Sequence, residues 1–352
     1  MRDVAVVAFA QSSAPAEQRR NDVEILMPVV QDAVERSGLG HDEIGFTCSG
    51  SNDYLVGGPF SFVGALDAVG AWPPIRESHV EMDAAWALYE AWVQIQKGVV
   101  DSALVYGFGK TSMSDLAKLM TLQLDPYYLV PLWPDADTLA ALQARAYLDA
   151  TGRTERDLAA VAARSRTAAA ANPNAVVTEA VTVDDVLSEA VTAPPLRRSE
   201  CAPITDGAAA VVLAAEDVAR SVCTRPAWIS ALDHRTDTHA LGARDLTRAT
   251  SAAIAAEAAG VGSGPVDVAE LHASYAHEEL LLRDALGLRE DTDVNPSGGA
   301  LGANPVMATG LIRIGEAARR VHDGDASRVV AHATQGPCLQ QNLVCVMESG
   351  GR

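Results

Sequence analysis

Asn295-Pro296-Ser297-Gly298-Gly299-Ala300-Leu301-Gly302-Ala303-Asn304-Pro305-Val306-Met307-Ala308-Thr309-Gly310 is the stretch on which the reading of this chain turns. Four glycines and two prolines in sixteen residues rule out a single regular element. The Asn-Pro start and the Gly-Gly pair predict tight turns where backbone approaches another group closely. Beyond it, Leu311, Ile312, Ile314, Ala317, Ala318 and Val321 recur at helical spacing. A loop feeding a helix in this way can offer backbone N–H groups to an anion or an oxyanion. An ordinary surface loop is the alternative.

Working outward, the spacing predicts a strand over Val4–Ala10, an amphipathic helix over Asn21–Ser37 closed by Gly38 and Gly40, and a strand over Glu43–Ser49. A helix over Met82–Lys97 and a buried strand over Ser102–Gly107 follow. Strand character returns at Ala208–Ala214, and a second series then opens like the first. It has strands at Ala227–Leu232, Val266–Leu271 and Arg328–Ala333, with helices at Leu246–Ala259 and Leu280–Leu286. The repetition predicts an α/β protein with duplicated βαβαβ halves, residues 1–220 and 221–352. Between about 111 and 200 the pattern loosens into an inserted lobe, with a Pro, Tyr and Trp cluster over 126–134 and helices over Thr138–Ala150 and Glu155–Ala171.

A chain of 352 residues, 48% hydrophobic and 21% charged, can bury a large core. Its net charge of −19 and pI near 4.7 argue against non-specific binding to nucleic acid or anionic membrane. An anionic ligand held by a local basic patch or by backbone N–H groups stays open. The first apolar run is too short for a signal peptide, and no window reaches the roughly 18 apolar residues of a membrane span. Cys48, Cys201, Cys223, Cys338 and Cys345 are odd in number and scattered, which predicts a reduced, cytoplasmic protein without structural zinc. Gly109-Lys110-Thr111 looks like the end of a phosphate-binding loop, but the first glycine that loop requires is Leu104 here.

The opening stretch resembles the C-terminal signature of the thiolase superfamily, Asn-Pro-Ser-Gly-Gly followed by Gly-His-Pro, and in particular its sterol-carrier/lipid-transfer branch. Three further segments carry the resemblance in order: Gly98–Lys110, Cys201–Ala210 and Glu270–Leu280, with Gly109 in place of a Glu. It spans nearly the whole chain and implies a five-layered α-β-α-β-α thiolase fold and a homodimer. The departures lie in the chemistry. Ala303-Asn304-Pro305 replaces Gly-His-Pro, and the nucleophilic cysteine's position falls at Glu81 or at Ala84, depending on register. No cysteine lies between Cys48 and Cys201, and the second family cysteine falls at Gly336, two residues before Cys338.

What the resemblance leaves is an enolate site. His272 stands where the family holds the thioester oxygen, and Asn304 is a donor beside it; the Ser297-Gly298-Gly299 turn and His277 are further candidates for binding substrate or oxyanion. The resemblance implies a lyase that cleaves a β-hydroxyacyl-CoA by retro-aldol chemistry, with a steroid side chain as acyl group. Coenzyme A enters as part of the substrate, with no covalent cofactor and no metal. A small zinc-ribbon/OB-fold acyl-CoA-binding protein is the implied partner. Two other readings stand beside this one: a silent acyl-CoA-binding subunit, and a residual acyltransferase working through Cys338. For the base, His272 is the first choice. Tyr275 is a relay or a core aromatic, and Glu81 and Asp83 are helix caps or catalytic carboxylates.

Overall fold

In the computed structural model, which describes residues 2–16 and 19–351, the chain traces one course twice. The first pass runs β1 (Val4–Pro15), α1 (Asp22–Ser37), β2 (Phe46–Gly50), α2 (Asp53–Val56), α3 (Ser61–Val69), β3 (Glu77–Val80), α4 (Ala84–Gln96) and β4 (Ser102–Gly109). A lobe follows with α5 (Leu116–Leu122), α6 (Ala136–Thr151), α7 (Glu155–Ala169), α8 (Val183–Ser188) and a hairpin of β5 (Val191–Ala193) and β6 (Leu196–Arg197). The chain then returns through β7 (Thr205–Ala215) and α9 (Glu216–Val222). The second pass runs β8 (Ala227–Thr236), α10 (Thr250–Ala258), β9 (Val268–Leu271), α11 (Ala276–Ala285), β10 (Asp293–Val294), α12 (Gly299–Gly302), α13 (Thr309–Asp323), β11 (Arg328–Gln335) and β12 (Gln341–Glu348).

Ten strands pair in the order β10-β9-β11-β12-β8-β1-β7-β4-β2-β3. Read outward from the β8–β1 seam, the two sides match strand for strand, β1 with β8, β7 with β12, β4 with β11, β2 with β9 and β3 with β10. The parallel pairs match as well, β2 lying between β4 and β3 and β9 between β11 and β10. The seam is narrow, with only Ala5 opposite Trp228 and Val6 opposite Ala227. These are the duplicated halves that the repeating pattern predicts.

Three apolar clusters fill the spaces between layers. One lies between the half-sheets and is built on α4 and α13; another packs α1, α3 and α9 on the outer face of the first half. The third packs α6, α7, α10 and α11 on the second half, which completes an α-β-α-β-α stack. A central helix is enclosed on most sides, and polar residues buried along it need partners, as Arg313 of α13 has in Glu270. Eleven of the fifteen residues of α13 are buried, and Gly315 leaves room for the Phe9 ring. A fourth, small cluster of Leu139, Leu241 and Cys338, with Leu124, Leu129 and Leu246 against it, sits apart under the lobe.

Several element boundaries move for local reasons. The second strand starts at Phe46, because His41–Glu43 form a 3-10 turn in which the Glu43 carboxylate accepts from Gly40 N at 2.8 Å. The α10 helix starts at Thr250 rather than near Leu246, since Asp245 holds Thr247 N in a turn and Leu246 packs into the small cluster. Edge strand β3, only four half-buried residues, and β12 have no counterpart among the predicted strands.

Two ion pairs are fully enclosed. Lys110 Nζ meets Asp206 at 2.8 Å, joining β4 to β7, and Arg313 of α13 meets Glu270 of β9 at 2.7 Å. Burial pushes the Glu270 carboxyl up while Arg313 pulls it back. Removing one member of such a pair leaves an uncompensated buried charge, whereas removing both does not. Arg313→Leu is therefore expected to cost about 3–5 kcal/mol of stability in urea unfolding. The double variant with Glu270→Leu should recover much of that loss.

Candidate active site

A cavity of about 460 Å³ lies where the N-terminal ends of α4 and α13 meet the lobe. Its inner end carries Asp83, His272, Asn304 and Thr334, one side carries Asp137, Tyr275 and Glu278, and the lobe supplies Leu116, Met120 and Leu124.

His272 follows directly on β9 and is fixed by the neighbouring strand β11. Its backbone N donates to His332 O at 3.1 Å, and its Nδ1 accepts from Thr334 N at 3.5 Å. An accepting Nδ1 places the ring proton of the neutral form on Nε2. Burial, helped by the nearby His332 and Arg313, brings its pKa down to about 3. Such a ring stays neutral at physiological pH, so it is a weak base and a good hydrogen-bond donor. That character suits a hydrogen-bond donor better than the base expected of His272.

Asn304 reaches the same cavity on a clamped loop. Its backbone N donates to Thr205 Oγ1 at 3.0 Å, and its Oδ1 accepts from Thr309 Oγ1 at 2.8 Å, which leaves Nδ2 as the free donor. The loop lies this close because Gly109 and Gly207 lack side chains: a Cβ on Gly109 would collide with Val306 O, and one on Gly207 would press on the Pro305 ring at 3.1 Å.

Asp83 caps α4. Its Oδ1 accepts from Ala85 N and its Oδ2 from Gly310 N, both at 2.9 Å, so the carboxyl joins the N-terminal ends of both central helices. Burial lifts it to about 6 against the pull of these N–H groups. Neither Glu81 nor Ala84, the two positions open for the family nucleophile, brings a thiol here.

Tyr275 and Glu278 come from the start of α11. The Tyr275 hydroxyl donates to Asp137 Oδ1 at 2.8 Å, and burial with the Asp137 charge pushes the phenol far up. Glu278 Oε2 accepts from Ser274 N at 2.8 Å and from Tyr275 N at 3.2 Å, capping the helix. Burial raises this carboxyl to about 7 despite those bonds. The result is a carboxyl that exchanges its proton near neutrality beside two neutral donors.

Cys338 also lines the cavity, but as a protonated thiol. Burial pushes it up to about 12, and its Sγ donates to Leu139 O at 3.4 Å. Five other candidates lie elsewhere. Ser297 Oγ donates to Glu270 at 2.7 Å and accepts from Arg313 at 2.6 Å, deep in the buried ion pair. Gly298, at φ 94°, packs against Ala169 of α7, where an added Cβ would lie 2.7 Å from Ala169 Cα, and Gly299 turns beside the Asn295 side chain. The Asn-Pro-Ser-Gly-Gly turn is thus a packing hub, not a wall of the cavity. His277 is fully buried with Nε2 on Gln143 Oε1 at 3.1 Å and is brought down to about 3 by burial. Glu81 is half-exposed on the rim of β3, paired with His79 at 3.1 Å and accepting from Asp53 N at 2.6 Å.

Sequence reasoning missed Asp137 and Glu278. Asp137 stands 138 residues from Tyr275, and no spacing links the two. Glu278, three residues after Tyr275, carries the pattern of a helix-capping carboxylate. It is one, and the same position puts it in the cavity wall.

No family model matches the chain. It is 28% identical to an acetyl-CoA acetyltransferase of Methanothermobacter thermautotrophicus, over 96% of this chain and 95% of that protein. It is 25% identical to a 17-hydroxy-3-oxo-4-pregnene-20-carboxyl-CoA lyase of Mycobacterium tuberculosis, over 64% of this chain and 61% of the relative. Among solved structures, an Ltp2-ChsH2(DUF35) aldolase superposes with a TM-score of 0.83 at 19% identity, covering 99% of this chain and 98% of that one. The acetyltransferase likeness makes acyl transfer a direct test of the site. Incubation with acetyl-CoA is expected to leave the protein unacylated by intact mass, with Cys338→Ser indistinguishable from the parent.

Proposed function

Because this chain is a relative of thiolase-superfamily proteins and has their fold, we propose that it is a lyase cleaving the Cα–Cβ bond of a β-hydroxyacyl-CoA, with a steroid side-chain thioester as the substrate class. One observation carries the reading: two neutral donors, His272 and Asn304, share a cavity with a carboxyl that titrates near 7, while the thiol in its lining stays protonated. Acyl transfer needs a thiolate; retro-aldol cleavage needs a base and an oxyanion site.

In this proposal the Glu278 carboxylate takes the β-hydroxyl proton as the Cα–Cβ bond breaks. A ketone is released, and the electron pair passes to the thioester oxygen. The enolate oxygen lies between His272 Nε2–H and Asn304 Nδ2–H. Protonated Glu278 then returns the proton to Cα, so the reaction is redox-neutral and leaves a shorter acyl-CoA. Tyr275, held by Asp137, orients the hydroxyl.

The lyase relative is named for a steroid carboxyl-CoA, which favours that acyl class. The aldolase neighbour is named as an assembly with a DUF35 protein, and a partner of that kind belongs to the same proposal. So does a homodimer.

Mass spectrometry of products from a 3-hydroxyacyl-CoA bearing a tertiary alcohol, with and without such a partner, tests the reading. A ketone and a shortened acyl-CoA are expected, and an intact thioester under both conditions would sink it. His272→Ala should lower kcat by about 10²–10³ through loss of an oxyanion donor. Glu278 must be ionised to act as base, so kcat/KM should rise with pH through about 7 and flatten above it. In Glu278→Gln this limb should vanish, together with about 10²-fold or more of the rate.

A further inference from the structure

The charges around the cavity are all of one sign. Asp83, Asp135, Asp137 and Glu278 line it, and among the described residues no lysine or arginine does. Three cations enclosed behind or beside the wall are committed elsewhere. Arg244, behind the wall, donates to the carbonyls of Pro337 and Cys338; Lys110 is locked to Asp206, and Arg313 to Glu270. The one imidazole in the wall, His272, offers a neutral N–H. The rest of the wall mixes aliphatic side chains, Leu116, Met120, Leu124, Ile204 and Val306 among them, with uncharged polar ones such as Gln123, Gln335 and Gln341.

We propose that the cavity selects an uncharged acyl group and rejects one that ends in a carboxylate, because such a group would meet four acidic side chains there and no lysine or arginine to offset them. This rests on the acyl-thioester occupancy proposed above. A carboxylate loses its hydration on entry and gains no counter-ion. By the same reasoning the phosphates of the thioester's nucleotide stay outside, and only the acyl group and the adjoining part of the thiol arm enter. Asp135 is the outermost of the four carboxylates: it is exposed and caps α6 through Thr138 N at 2.7 Å.

The test uses two 3-hydroxy-3-methylacyl-CoA thioesters of equal chain length, one ending in a methyl group and the other in a carboxylate. Calorimetric Kd values and cleavage rates are measured for both with the full chain. The methyl-ended probe is expected to bind at least about tenfold more tightly at neutral pH. In Asp135→Asn/Asp137→Asn the gap should narrow several-fold; Asn keeps the α6 cap in place. Equal or tighter binding of the carboxylate-ended probe overturns the proposal, as does a gap that the double variant leaves unchanged. A tenfold preference without cleavage sinks the lyase and leaves this inference standing. Cleavage of both probes with equal affinity does the reverse.

Discussion

Everything at the centre of this molecule depends on one carboxyl group placed between two helix ends. Asp83 accepts the Ala85 N–H of α4 and the Gly310 N–H of α13, one helix from each half of the chain. Helix N-termini carry unsatisfied N–H groups and a partial positive charge, and buried together they need an anion or an acceptor. In a cysteine-dependent enzyme of this architecture, a thiolate at such a helix end would be both acceptor and nucleophile. Here a carboxylate takes the acceptor's part, and the helices meet without creating a reactive group.

That arrangement explains why the surrounding groups have the character they do. With the dipoles spoken for, burial dominates at four other titratable groups of the cavity, His272, Cys338, Tyr275 and Glu278, and it favours the uncharged form. It keeps His272 as a neutral donor, Cys338 as a thiol and Tyr275 as a phenol, and it lifts Glu278 into the range where it gains and loses a proton readily. A shared physical cause thus yields neutral donors and a carboxyl whose proton exchanges near neutrality in one cavity. The placement of each group comes from backbone contacts: His272 from β11, Asn304 from the close approach permitted by Gly109 and Gly207, and Glu278 from its own helix cap.

Much of the fold was legible in the chain because it is written in periodicity. The two strand-helix series predict halves that superpose in strand order, and the helix from Asn21 to Ser37 carries its own start and stop, an Asn21–Glu24 capping box and Gly38 at φ 70°. The site was legible only where a motif held the residue in place, as with His272 and Asn304. Ser297, Gly298 and Gly299 show the limit of such reading. A Gly-rich loop before a helix serves equally for an oxyanion hole and for tight packing on α7, and only the position of Ala169 decides between them. The Asp137–Tyr275 contact joins residues that no local rule connects, and protonation preferences arise from burial, which spacing does not report.

The lobe carries a consequence of its own. Leu124 and Leu129 pack into the small cluster with Leu139 and Leu241, separate from the three cores that hold the layered stack together. The polar inner end of the cavity is built by the stack, whereas much of its greasy outer wall is built by the lobe. Changes at Leu116 and Met120 alter the shape of that wall without touching a residue of the three cores. This part of the wall can therefore vary independently of the polar inner end. A lineage with this architecture can reshape the outer wall through α5, whereas α6 and α7, which carry Asp137 and part of the third core, are tied to the stack.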